Sequence, residues 1–240
     1  FPYAPYVGSM AFTHKGGMHA SAVNKYVDSY QHMDPAEIGN NSNITVSELA
    51  GRSNIVSRLE ELDIKNNFNE KDIKNLTKII KEKENNGFSY EVASASLELL
   101  LKKEKKLIKS PFNLIDYDVR LQSSGNLKKN QCTASINLSV NNIPIEKKSI
   151  GNGPVAALDK ALREALLKFY PSLDKVKLTD YKVRVVNESE ATESIVRVSI
   201  ESADDKEVWT TVGASSNIIE ASWMALSDSM EWWLIRNIID

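Results

Sequence analysis

An internal repeat in the second half of this chain constrains its fold more than any other feature of the sequence. The segment LIDYDVR at 114–120 recurs as LTDYKVR at 178–184. Each copy is followed by an alternating apolar and polar strand, by a second strand and, after Gly151 or Gly213, by an amphipathic helix. The repeat therefore predicts two βββα units, each with a helix on one sheet face, packed about a pseudo-twofold axis.

The rest of the chain divides into two further regions. Residues 1–67 are rich in Gly, Asn, Ser and His, residues 68–109 have helical periodicity, and residues 110–240 contain the repeat. The predicted fold class is α+β: small helical linker subdomains followed by a domain of two pseudo-symmetric βββα units.

Helix starts and ends can be predicted before the repeat. Apolar spacing predicts helices over 17–27 and 53–62. Asn69 and Ser89 are the expected N-caps of the two linker helices. The lysine-rich stretch 102–109 is interpreted as a solvated helix end rather than a phosphate site.

Composition excludes several classes of function. Thirty basic residues balance thirty-two acidic ones, which argues against a nucleic-acid or anionic-membrane partner. Cys132 is the only cysteine, so neither a disulfide framework nor a thiolate metal cluster is expected, and a cytoplasmic location is predicted. No apolar run approaches the roughly 20 residues of a membrane span.

Three tryptophans close together on the last helix predict self-association. If Trp223, Trp232 and Trp233 were exposed, they would form a large apolar patch on a monomer. A symmetric homodimer is the commonest way to cover such a patch.

Few residues in the sequence point to catalysis on their own. No hydrolase triad, Walker loop or His-Glu-x-x-His motif is present. His14, His19 and His32 fall within nineteen residues, a spacing that leaves open a metal cluster or a structural or acid–base role. Tyr30 could share a polar pocket with one of them, because Tyr and His commonly exchange protons.

Several ordered motifs carry a resemblance to a known family. They are PYVGSMAFTHKGGMHASAV at 5–23, YQHMDPAEIGN at 30–40, GRSN at 51–54, the helix at 88–101, GNGPV at 151–155, WTTVG at 209–213 and NIIEAS at 217–222. Over essentially its whole length the chain resembles the C-terminal portion of the α-isopropylmalate, citramalate and homocitrate synthases.

This resemblance implies a catalytic context that extends beyond the chain. The family condenses acetyl-CoA with a 2-oxo acid in a TIM barrel, using a divalent metal bound by a His-x-His pair and an acidic residue. The barrel and the metal ligands would lie upstream of Phe1, so we expect the fragment alone to be an inactive part of an acyltransferase that binds no cofactor. His19 matches the family's catalytic histidine and Tyr30 its tyrosine, both acting in the partner's barrel within a domain-swapped homodimer. His14 and His32 are interpreted as structural or surface residues.

The resemblance also implies a feedback site in the repeat domain. Glycines before a helix start leave backbone N–H groups open to an anion, although they also suit tight turns. The family match favours binding of a branched-chain amino acid by Gly151, Asn152, Gly153, Pro154 and, across the repeat axis, Tyr181.

The identity of the 2-oxo acid and of the effector is less constrained. The motifs are most similar to the citramalate branch, which implies pyruvate as substrate and isoleucine as effector. The alternatives are the isopropylmalate branch, with 2-oxoisovalerate and leucine, and a stand-alone amino-acid-binding module.

Overall fold

The structure, a computed structural model, describes residues 4–8, 10–14, 22–23, 25–26, 29–30, 33–44, 52–122, 131–186 and 194–238. The chain forms two compact units, Phe1–Val92 and Ala93–Asp240. The segment predicted as a linker, 68–109, contributes one helix to each unit.

The described part of the first unit includes two short strands and two α-helices. Strand β1 (Thr13–His14) pairs in parallel with β2 (Asn43–Ile44), and helix α1 (Arg52–Glu61) packs on helix α2 (Glu70–Asn85). The helix predicted over 53–62 is therefore confirmed with a shift of one residue. The helix predicted over 17–27 lies largely outside the described residues.

Helix α2 begins as predicted. The side chain of Asn69 accepts a hydrogen bond from the Asp72 N–H at 3.0 Å, and the Asp72 carboxylate accepts one from the Asn69 N–H at 2.9 Å. This capping box satisfies two N–H groups that the helix itself leaves unpaired. Ile73, Leu76 and Ile80 form the buried stripe of the helix.

The predicted start of the next helix is wrong. Helix α3 (Ser94–Glu104) begins five residues after Ser89, with Ala93 at the N-cap and no capping side chain. The rings of Phe88 and Tyr90 stack at 6.1 Å, and Tyr90 and Ala93 are buried. Burial of these residues fixes the segment before α3 in a non-helical path.

The second unit contains the two predicted repeats. The first consists of β3 (Phe112–Gln122), β4 (Gln131–Val140), β5 (Ile143–Gly151) and α4 (Pro154–Leu167). The second consists of β6 (Lys177–Val185), β7 (Val196–Ala203), β8 (Val208–Ser215) and α5 (Ile218–Asn237). Each sheet is an antiparallel meander, ordered β3-β4-β5 or β6-β7-β8, and each helix packs on its own sheet. The predicted βββα topology and the α+β fold class are confirmed.

The repeated sequence motif marks a shared irregularity of the backbone. The β3–β4 register shifts between Leu114 and Asp116, and the β6–β7 register shifts between Leu178 and Asp180. Each motif thus begins at a β-bulge, which increases the local twist of its edge strand. The two copies of the motif therefore occupy the same bulged position in their strands.

The core lies between the sheets and their helices. Alternate residues of β4, from Cys132 to Val140, are buried, and burial raises the pKa of the Cys132 thiol. Helix α5 is buried on most sides, and Trp223, Trp232 and Trp233 are all inside the core. These tryptophans therefore need no partner subunit to cover them, contrary to the basis given for self-association, because β7, β8 and α3 of the same chain cover the helix.

Candidate functional site

The structure leaves the catalytic predictions untested. His19 and His32 lie outside the described residues. Tyr30 is described and half-exposed, and His14 lies in β1, where it pairs with Ile44. Within the described ranges, no group of three or more His, Cys, Asp or Glu side chains is arranged to hold a metal ion. The roles of His19 and Tyr30 remain predictions.

Gly151 is required for close packing of α4 on β5. A Cβ atom at this position would lie 2.4 Å from the Ala157 backbone nitrogen and 2.8 Å from the Ala157 Cα. Real Cβ atoms essentially never approach backbone atoms so closely. The glycine therefore has a structural reason that is independent of any ligand.

Gly153 has no comparable packing reason. Gly153 is the N-cap of α4, with an extended φ of −156°, and apart from its own residue and its two chain neighbours no protein atom lies within 4 Å of the place that its Cβ would occupy. No side chain caps this helix start, and Pro154 fills its first turn without an N–H group. The backbone N–H groups of Val155 and Ala156 are thus available to an anion approaching past Asn152, which is exposed.

The pseudo-equivalent start of α5 is already capped. The Asn217 side chain accepts a hydrogen bond from the Ile219 N–H at 2.9 Å, and the Ser215 hydroxyl donates to the Glu220 carboxylate at 2.6 Å. The negative charge of Glu220 in the first turn also disfavours a bound anion. Of the two helix starts in the repeats, only that of α4 suits a carboxylate.

Gly213 does not correspond to Gly151. Gly213 pairs with Val198 inside β8, whereas Gly151 pairs with Cys132 at the end of β5. A Cβ at Gly213 would lie 2.0 Å from the Ala221 carbonyl oxygen, so this glycine permits contact with α5. The interpretation of Gly213 as a strand-to-helix turn is wrong, because the strand continues to Ser215.

An exposed apolar residue lies in the cross-strand row of Gly151. In the β3-β4-β5 sheet, Leu121 pairs with Cys132 and Cys132 with Gly151, and Leu121 is 62% exposed. Neighbouring strands are about 4.8 Å apart, so Leu121 lies roughly 10 Å from Gly151. The sheet therefore presents an exposed apolar side chain two strands away from the end of β5 that precedes α4.

Tyr181 contacts the start of α5. Its hydroxyl forms a 2.8 Å hydrogen bond with the Ser222 hydroxyl, which also donates to the Ile218 carbonyl at 2.6 Å. This hydrogen bond places Tyr181 at a different helix start from Gly153. Four of the predicted effector-site residues therefore lie together at the start of α4, namely Gly151, Asn152, Gly153 and Pro154. Tyr181 lies apart from them, in the second repeat.

Sequence reasoning missed the counterpart of Tyr181 in the first repeat. Tyr117 stacks on Trp223 of α5 with 5.7 Å between ring centroids. Burial, followed by the charge of Glu220, raises the pKa of the Tyr117 hydroxyl. Both motif tyrosines therefore meet adjacent residues of one helix, which links the two repeats. The shared position of the tyrosines in the repeated motif was the signal that could have revealed this.

Comparison with known proteins agrees with this architecture. The LeuA allosteric (dimerisation) domain matches residues 91–234, and the homocitrate synthase post-HMGL domain-like family matches residues 6–87. Similar proteins are (R)-citramalate synthases of Aquifex aeolicus, Geobacter sulfurreducens and Sulfolobus acidocaldarius, with identities of 48%, 44% and 41%. Each match covers 97% of this chain.

These matches define the class of the chain: a LeuA-type allosteric (dimerisation) domain that follows a homocitrate synthase post-HMGL domain-like region. The chain belongs to the family of the LeuA allosteric (dimerisation) domain and is a C-terminal portion of the isopropylmalate, citramalate and homocitrate synthase type. It spans 43–44% of the length of these three relatives. No helix among the described residues has the length and apolar composition needed to cross a membrane.

Proposed function

We propose that the complete protein is an acyltransferase that condenses acetyl-CoA with pyruvate to give citramalate, in branched-chain amino-acid synthesis. The observation that carries this proposal is the similarity, over 97% of the chain, to three proteins named (R)-citramalate synthase. A cytoplasmic location fits the single, buried cysteine. The barrel and its divalent metal would belong to the part of the protein that precedes this chain.

His19 and Tyr30 would serve the condensation in the partner's barrel. A positioned histidine or tyrosine contributes typically 10²–10⁴-fold by proton transfer. In the full-length enzyme, His19→Ala and Tyr30→Phe should therefore lower turnover without changing effector affinity. His14→Ala is the control, since we assign that residue a structural or surface role. Turnover within about twofold of wild type for both variants would remove the catalytic assignment.

The repeat domain would bind isoleucine as a feedback effector. The uncapped start of α4 offers the N–H groups of Val155 and Ala156 to the effector carboxylate, and the space around Gly153 gives access. Leu121 provides an apolar surface for the side chain. Discrimination between isoleucine and leucine should be modest, because small changes in an apolar ligand are worth about 1–3 kcal/mol.

Calorimetry on this chain tests the effector site directly. We expect heat with isoleucine, weaker binding of leucine and valine, and loss of binding in Gly153→Val. Asn217→Ala perturbs the pseudo-equivalent helix start and is the matched control, which should bind normally. A preference for leucine would favour the isopropylmalate branch and 2-oxoisovalerate as substrate. No heat with any of the three amino acids at millimolar concentration would exclude the effector site.

We further propose that the chain forms a homodimer through the repeat domain. The matching family is a dimerisation domain. Apolar residues are exposed on the first strand of each sheet, β3 and β6. On β3 these include Ile115, which is 58% exposed, and on β6 Val185, which is 52% exposed. These positions, rather than the tryptophans, support self-association. Sedimentation that shows only monomer at micromolar concentration would refute the proposal.

A further inference from the structure

Helix α3 is attached to the second repeat through a buried hydroxyl. Ser96 donates a hydrogen bond to the Asp228 carboxylate of α5 at 2.7 Å and accepts one from the Val212 N–H of β8 at 3.0 Å. Val212 belongs to an edge strand, so its N–H would otherwise lack a partner in the sheet. One side chain thus joins three elements.

A buried carboxylate makes the second attachment. Glu98 is 3% exposed and accepts a hydrogen bond from the Trp232 indole at 2.9 Å and from the Lys102 ammonium at 2.6 Å. Arg236 lies 3.5 Å from the same carboxylate and 4.5 Å from the Trp232 ring centroid. Burial alone would raise the pKa of Glu98, but the hydrogen bonds from Lys102 and Trp232 and the neighbouring positive charges hold it below the ordinary value.

A third attachment reverses the charges. The Lys103 ammonium lies 2.7 Å from the buried Glu231 carboxylate of α5, and Ser110, which follows α3, donates to the other Glu231 oxygen at 2.6 Å. We name the whole set the α3 clamp: it comprises Ser96, Glu98, Lys103, Ser110, Asp228, Glu231, Trp232 and Arg236.

The hydrogen bonds and ion pairs of the α3 clamp define the position of α3 on α5 more than they add to stability. Buried ion pairs are generally no more stabilising than apolar residues of the same volume, whereas removal of one partner is strongly destabilising. Donors and acceptors that must all be matched at once therefore fix α3 in one position on α5.

Helix α5 connects the α3 clamp to the first repeat. Helix α3 is the first helix after the boundary at Val92, so the chain of the first unit enters the second through it. Helix α5, at 20 residues and about 30 Å, joins the clamp to Trp223, against which Tyr117 of the first repeat stacks. Helix α4, where we place the effector, packs on β3, the strand of Tyr117, and on α5.

We propose that the α3 clamp couples the effector site at the α4 start to helix α3, so that isoleucine binding tightens the docking of α3 on α5. The proposal rests on the effector site described under Proposed function. An effector that restrains the first repeat also restrains Tyr117 and, through Trp223, helix α5. A more rigid α5 makes the docking of α3 more stable.

Amide hydrogen exchange on this chain, with and without saturating isoleucine, measures the coupling. Coupling factors are typically about 5–150-fold, so we expect protection of the α3 amides to rise about tenfold, while the α2 amides of the first unit change little. Glu98→Gln keeps the shape of the side chain but removes its charge, and should abolish the rise while heat of binding persists. Glu104→Gln, an exposed position on the same helix, is the matched control and should behave as wild type.

The outcomes separate this proposal from the effector site. Heat with isoleucine but less than twofold change at α3 overturns the coupling and leaves the effector site intact. A full rise in Glu98→Gln overturns the clamp as the route. Absence of heat in the wild type removes the effector site and the coupling together. If Glu98→Gln fails to fold, Ser96→Ala tests the same connection, because it removes the hydrogen bonds that join α3 to Asp228 and to the Val212 N–H.

Discussion

Replacing Gly151 by alanine should force α4 away from β5. The new Cβ would lie 2.4 Å from the Ala157 nitrogen, where ordinary contact begins at 3.4 Å, so the helix must retreat by about 1 Å. The new Cβ would also lie 2.8 Å from the Ala157 Cα, and backbone atoms, unlike a side chain, cannot rotate away. A gap of that size forfeits a quarter to a half of each dispersion contact on the buried face of α4, which includes Leu158, Leu162 and Leu166. We expect a loss of about 3 kcal/mol, the upper part of the usual range for overpacking.

Urea unfolding followed by tryptophan fluorescence measures this loss in the repeat domain alone, because all four tryptophans lie between Trp209 and Trp233. With a slope of about 2 kcal/mol/M, the midpoint should fall by about 1.5 M. Gly153→Ala is the matched control: its Cβ meets open space, so its loss should stay below about 1 kcal/mol. Equal midpoints for the two variants would refute the packing argument.

Two further predictions concern stability. Asn69→Ala removes half of the capping box of α2 and should cost about 1 kcal/mol, seen as roughly fivefold faster amide exchange in that helix; unchanged exchange would contradict the assigned cap. The pKa of Glu98 is lower in the folded chain than in the unfolded chain, where it is about 4. The contribution of Glu98 to the free energy of unfolding is therefore complete above the unfolded pKa and is lost as the pH falls through the lower folded pKa. Fluorescence-detected stability between pH 6 and 3 should therefore fall less steeply in Glu98→Gln than in wild type, and identical slopes would count against this.

The repeat was predictable because strand alternation and the bulged motif are both features of short stretches of sequence. Alternation in β4 and β7 reflects one buried sheet face, and the LxDYxVR motif coincides with the bulges after Leu114 and Leu178. Asn69 was predictable because a capping box lies within four residues.

Features that depend on distant contacts were not predictable. Ser89 has the chemistry of an N-cap, but burial of Tyr90 and Ala93 decides where α3 begins. The indole of Trp232 donates to Glu98, which lies 134 residues away along the chain. No pattern in the sequence around Glu98 therefore indicates that its carboxylate is buried. Periodicity showed that the last helix is apolar, and only the tertiary structure shows that the chain itself covers it.

The difference between the two helix starts yields a prediction with opposite effects on stability and binding. Gly153→Asn gives α4 the cap that Asn217 gives α5, at a position with an extended φ and open surroundings. The new amide oxygen should accept from the N–H of Val155 or Ala156, leaving stability unchanged or raised by a few tenths of a kcal/mol. The same bond occupies the groups assigned to the effector carboxylate, so affinity for isoleucine should fall at least tenfold. Gly153→Ala, which adds no acceptor, should lose far less. If Gly153→Asn is as stable as wild type and binds isoleucine equally well, the carboxylate binds elsewhere. In that case Gly153 would serve only the fold, and a cap at this position could raise stability without loss of binding.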